Sequence, residues 1–250
     1  MGLVGPARAS ALGDATTALR SDVGSHANPA AAATRARPVV LLFARQGFGL
    51  DELRYGGLHG VWPFSLGSVS VGASSFGFDA YRETYFVVGG ARSLSPGTSR
   101  PIYLGATLRY VTTSITGYGT AGELSASIGG IVPLLPTLDF GVHLANLAVP
   151  AFSRTLDVPR ALAVGLAYQA SPDFTVVTDV FKDIDFPLSV RSGFEYRPVN
   201  AFIIRTGVST QPTTFAVGAG VRVGALHADL AAEQHLDLGW TPSIALSFRW

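Results

Sequence analysis

Cysteine is absent from this 250-residue chain, which excludes disulfides, thiolate metal ligands and cysteine nucleophiles. Long hydrophobic runs are missing too: no stretch approaches the roughly 18–20 unbroken apolar residues that a membrane-spanning helix needs. Yet 48% of the residues are hydrophobic and the mean hydropathy is +0.33. Charge is scarce, at 14% of residues, and balanced to a net +1, so nothing points to nucleic acid or an acidic substrate. The stretch Met1 to Ala11 lacks a basic segment followed by a long apolar one, so the chain reads as the mature or mis-started form of an exported protein. A chain this apolar without a spanning helix is either all core or a membrane barrel.

Glycine is abundant, at 29 residues. It is costly inside helices and useful at bends and close strand contacts, so the composition favours an all-β protein. From Pro38 onward the chain divides into fourteen short runs of period two, each bounded by Gly, Pro, Asn, Asp or Ser. They are Val39 to Gln46, Arg54 to Trp62, Ser68 to Phe76, Thr84 to Arg92, Ile102 to Val111, Gly122 to Val132, Thr137 to Ala145, Arg160 to Gln169, Asp173 to Phe181, Leu188 to Arg197, Ala201 to Ser209, Thr214 to Gly224, Ala225 to Glu233 and Ser243 to Trp250. An even strand number, charges confined to one face and a terminal alternation through Ile244, Leu246, Phe248 and Trp250 predict a transmembrane, up-and-down antiparallel β-barrel in the bacterial outer membrane. With the C-terminus in the periplasm, the periplasmic connections read as tight turns, apart from Ser93 to Pro101. The external ones read as longer loops, notably Thr112 to Ala121, Asn146 to Pro159 and Gln234 to Pro242. Aromatic girdles are expected from Trp62, Phe64, Tyr168, Phe174, Tyr196, Phe202 and Trp250 at one interface and from Tyr85, Tyr110, Phe215 and Trp240 at the other. Phe248 and Trp250 also resemble the C-terminal signal read by the barrel-assembly machinery.

Residues 1–37 differ: they are alanine-rich, lack strand alternation and permit short helical turns, so they read as a hatch inside a barrel of residues 38–250. Within this segment Ala7, Arg8, Ala9, Gly13, Asp14, Ala15, Asp22, Asn28, Pro29 and Ala30 resemble the opening of PorV/PorQ-type proteins of the FadL-like outer-membrane superfamily. The resemblance implies fourteen strands and a hatch packed in the lumen, with Asn28-Pro29-Ala30 positioning it. Asn28 can satisfy local backbone groups at a turn, and Pro29 stops helix before the first strand.

Inward positions place Arg109, Glu123, Asp139 and His143 in the first half of the barrel wall and Asp179, Arg191, Glu195 and Arg205 beyond them. Arg222, His227, Asp229, Glu233 and Arg249 follow toward the C-terminus. Acid and base are nearly balanced, so these groups are expected to pair with one another and with the hatch arginines. His227 with Asp229 and Glu233, or Asp139 with His143, could be drawn as a catalytic or metal constellation. No helical zinc motif, glycine-flanked nucleophilic serine or phosphate loop accompanies them, so neither enzyme activity, cofactor nor metal is expected. The export role implied by the PorV/PorQ resemblance stands first, with secretion subunits as partners. The alternative is a FadL-like passive conduit for a hydrophobic ligand.

Overall fold

A computed structural model describes residues 5–20, 24, 26–95, 97, 100–148 and 160–250. The chain forms β1 (Val39–Gln46), β2 (Arg54–Phe64), β3 (Gly67–Phe78), β4 (Tyr81–Leu94), β5 (Ile102–Ile115), β6 (Gly119–Leu135) and β7 (Leu138–Ala148). It continues through β8 (Ala161–Ser171), β9 (Phe174–Asp183), β10 (Ser189–Val199), β11 (Phe202–Thr210), β12 (Thr213–Val223), β13 (Leu226–His235) and β14 (Gly239–Arg249). Each strand pairs antiparallel with its neighbours in sequence, and β1 pairs with β14 from Val39↔Arg249 to Arg45↔Ser243. The sheet is therefore a closed barrel with no free edge, which satisfies its backbone groups without water.

Alternation decides what each side of the wall meets. Along β11 the exposed Phe202, Ile204 and Val208 alternate with the buried Ile203, Arg205 and Ser209, and β14 repeats the pattern to its end. The outward face carries large exposed apolar side chains on every strand but β7, among them Leu42, Leu58, Val88, Leu108, Leu166, Val217 and Leu230. In water each would forfeit roughly 1.5–3 kcal/mol relative to an apolar environment, so this surface belongs in a bilayer. Many inward positions are instead small or polar, including Ser68, Ser70, Ser125 and Ser127.

Several strands run longer than their alternation predicts. β4 and β5 have 14 residues each and β6 has 17, so the expected loop Thr112 to Ala121 shrinks to the turn between Ile115 and Gly119. The expected loop Gln234 to Pro242 likewise closes to the three residues between His235 and Gly239. Serine, threonine and glycine at these strand ends look like turn formers, but pairs such as Thr113↔Ala121 and Glu233↔Thr241 keep them in the ladder. Length alternation between the two rims is thus weaker than expected. The Asn146 to Pro159 loop lies almost wholly outside the described residues.

The N-terminal segment fills the lumen. α1 (Ala7–Ala11) packs its alanines against Leu41, Phe43, Ala231 and Ala245. The helix ends where Gly13 and Asp14 both adopt positive φ (64° and 58°), a conformation that Gly takes without cost and Asp tolerates. Leu12, Ala15, Ala18 and Leu19 then pack on Ala167 and Val177, and the 3-10 turn Pro29–Thr34 seats Ala30 and Ala31 on Ile131. The chain next enters β1 at Val39.

Candidate functional site: the filled lumen

Close approach between the N-terminal segment and the wall explains much of the glycine. A Cβ on Gly193 or Gly207 would strike the backbone of Leu12 or Gly13; on Gly141 it would strike Thr17 and Ala18, and on Gly105 Pro29 and Ala30. These four inward glycines, with Gly129 beneath Asn28 and Gly218 beneath Ala11, form a track that admits the segment's backbone. No alternation rule reveals such a track, because it depends on what lies opposite.

Asn28 holds the segment most tightly. Its Nδ2 donates to the carbonyls of Thr17 (2.8 Å), Gly130 (3.1 Å) and Val142 (3.1 Å), while its Oδ1 accepts from Ala30 N (3.1 Å) and caps the 3-10 turn. It thus ties two parts of the segment to each other and to β6 and β7. Pro29 and Ala30 are buried in the same seat. Asp14 lies farther along the lumen, beside a small cavity that it shares with His26, His143, Phe181 and Arg191. Asp22 lies outside the described residues.

Charged side chains make the second set of ties. Glu195 receives Arg8 Nε (3.0 Å) from the segment and Arg205 Nε (2.7 Å) from the neighbouring strand. Arg205, fully buried, also donates Nη1 to Asp229 (2.6 Å), and His227 Nε2 lies 3.3 Å from the same carboxylate. Glu233 instead receives Arg45 Nη2 (3.2 Å), whose Nη1 donates to Ser10 (2.7 Å), so His227, Asp229 and Glu233 do not converge. Asp179 accepts from Thr17 N (2.9 Å) and Oγ1 (2.7 Å). Arg20 donates Nε to Asp139 (2.6 Å) and pairs with it a second time. Burial works against the Arg20 charge, but Asp139 and Tyr103 outweigh it and hold the guanidinium above its usual pKa.

Other inward residues meet a wider range of partners. Arg109 donates to Asn146 Oδ1 (3.2 Å), and His143 is buried beside that same small cavity. Arg191 lies over the ring of Phe181, 3.7 Å from its centroid. Arg222 and Arg249 form no salt bridge among the described residues.

Sequence reasoning missed an aromatic patch on the lumen wall. Phe43, Tyr55, Phe76 and Tyr85 all face inward between β1 and β4, in the half of the lumen away from the rim where β14 ends. The Phe43 and Tyr55 rings lie 5.2 Å apart, and Tyr55 meets Tyr85 edge-on at 6.4 Å. The Tyr85 and Tyr81 hydroxyls both donate to buried Glu83. Tyr85 therefore does not belong to the outer girdle, which at that rim retains Tyr110, Phe215 and Trp240. In β4, inward Tyr85 and Val87 alternate with outward Phe86 and Val88, so both faces are apolar and the period of two is hidden. At the opposite rim Phe64, Tyr168, Tyr196, Phe202 and Trp250 are exposed outward, and Phe248 stacks on Trp250 at 5.5 Å.

No protein-family model and no curated protein matches the chain. Several solved structures do. The CymD monoaromatic hydrocarbon channel aligns with a TM-score of 0.72 at 13% identity, covering 99% of this chain and 98% of that one. The Pseudomonas putida toluene transporter TodX aligns at 0.68 and 13%, covering 100% and 97%. A Pseudomonas aeruginosa FadL homologue aligns at 0.59 and 11%, covering 88% and 92%. None of the three is described as a PorV/PorQ-type or export protein. At such identities they establish architecture: the chain has the fold of FadL-like outer-membrane channels.

Proposed function

We propose that this protein is a passive conduit for hydrophobic small molecules across the bacterial outer membrane. The inward aromatic patch of Phe43, Tyr55, Phe76 and Tyr85 carries the reading: Phe43 packs against α1, and the half-buried Tyr55 and Tyr85 extend a ring-lined wall beyond it, the kind of surface a hydrophobic solute requires. Similarity to channels described as carrying toluene or monoaromatic hydrocarbons supports the same class of solute. The N-terminal segment acts as a hatch: it blocks free diffusion of ions and polar solutes, while an apolar solute partitions onto the aromatic wall above it. The patch supplies a low-polarity surface with ring faces and edges for stacking. No covalent chemistry is involved, and no cofactor is required. Membrane lipid is the surrounding partner, and the stacked Phe248–Trp250 end serves as the handle for the assembly machinery.

Toluene binding to the full chain in detergent tests this reading, followed by tyrosine and tryptophan fluorescence. Saturable binding that the double substitution Tyr55→Ala and Tyr85→Ala weakens about tenfold, a loss of roughly 1.4 kcal/mol, is the expected result. Equal binding by the variant would remove the patch from the account.

A further inference from the structure

Near the inner ends of β10, β12 and β14, three arginines face into the lumen: Arg197, Arg222 and Arg249. Their strands alternate with β11 and β13, so they form a crescent along one side of the rim. Register supports this arrangement. Arg222 lies opposite His227, His227 lies opposite Ser247, and Arg249 is the next inward residue beyond Ser247. Arg249 is within electrostatic reach of Arg8 and Arg222 and, less strongly, of Asp229 and Glu195, the two carboxylates already engaged by Arg8 and Arg205. In each of the three arginines Nε is shielded from solvent and has no hydrogen-bond partner.

A charge count for this end of the lumen leaves positive charge over. Arg8 and Arg205 are matched by Glu195 and Asp229, which they share. Arg222 and Arg249 then have no carboxylate of their own among the described residues. Half-buried guanidinium groups gathered without an anion repel one another, and planar guanidinium forks fit oxyanions through paired N–H donors. The side chains face the lumen, so the complementary anion arrives from the aqueous mouth and not from the lipid side.

We propose that Arg222 and Arg249, flanked by Arg197, form a binding site for a soluble oxyanion of phosphate type at the inner mouth of the barrel. The site is separate from the aromatic patch, and it does not depend on the transport reading. A bound anion would complete the charge balance beneath the Arg8–Glu195–Arg205 cluster and so brace α1 in its seat.

Titration calorimetry of the full chain in uncharged detergent at low ionic strength, with inorganic phosphate as probe, tests the site. Saturable binding is expected, weakened at least about tenfold by Arg222→Gln and by Arg249→Gln, and unchanged by Arg54→Gln on the exposed opposite rim. Heat-modifiable gel mobility reports whether each variant is folded. A readout on the unaltered chain needs no variant: phosphate should protect Arg222 and Arg249, but not Arg54 or Arg82, from phenylglyoxal, as read by mass spectrometry. Absence of phosphate binding, binding that survives both substitutions, or protection spread evenly over the exposed arginines would overturn the proposal. Arginine-dependent capture of phosphatidylglycerol in nanodiscs without any response to inorganic phosphate would also overturn it, by assigning the arginines to a lipid headgroup.

Discussion

At the scale of single residues, the lumen is held by a few positions whose neighbours leave no slack. Gly207 is one, because a side chain there meets the backbone of Leu12 and Gly13. Gly207→Val should leave the barrel assembled but push the N-terminal segment from its seat, raising single-channel conductance in planar bilayers; conductance equal to that of the parent would mean that the contact is dispensable. Glu195 is another, since its removal leaves Arg205 buried with only Asp229 to answer it. Glu195→Ala is expected to cost about 3–5 kcal/mol, the usual penalty for stripping one partner from a buried pair, and urea titration of the refolded barrel would measure it. Asn28→Ala forfeits four hydrogen bonds in one step and should loosen the segment without opening the wall. Hydrogen exchange would then quicken at Thr17 and Ala30 before any strand responds. Arg205, Glu195 and Asp229 were legible as inward residues from alternation alone. Their pairing with one another and with hatch arginines was expected, but not which arginine meets Glu195, because Arg8 lies more than 180 residues away and only the folded segment brings the two together.

At the scale of elements, the fourteen strands could be read from periodicity because one face of each meets lipid and the other does not. Boundaries failed where that contrast fades. Thr112–Ile115 and Gly119–Ala121 are polar and glycine-containing, yet they remain paired above the membrane belt, where neither face has to be apolar. Inward aromatics failed to register for the opposite reason. Tyr85 and Val87 alternate with equally apolar Phe86 and Val88, so no period of two survives to signal a lumen patch. The N-terminal segment is the element whose role is most open to direct trial. Removing residues 1–29 takes away α1, Asn28 and every contact with the glycine track except those of Ala30. The remaining barrel keeps its closed ladder and should still show heat-modifiable mobility on gels, while its conductance rises; a truncated barrel that conducts no better than the parent would contradict the plug.

At the scale of the whole molecule, an apolar outer wall, a lumen closed by a docked N-terminal segment and an aromatic surface above it form one arrangement. The barrel belongs in a bilayer because its exterior is unsuited to water, and in the proposed reading its interior excludes polar solutes because the segment and its ion pairs lie in the bore. In that reading the solute meets the half-buried rings of Tyr55 and Tyr85. Uptake by cells carrying this protein as their main outer-membrane channel tests that claim most directly, comparing radiolabelled toluene with radiolabelled sucrose. The account predicts faster toluene entry that depends on Tyr55 and Tyr85, with sucrose entry unchanged. Equal toluene entry with and without the protein would contradict it, as would a gain for sucrose alone.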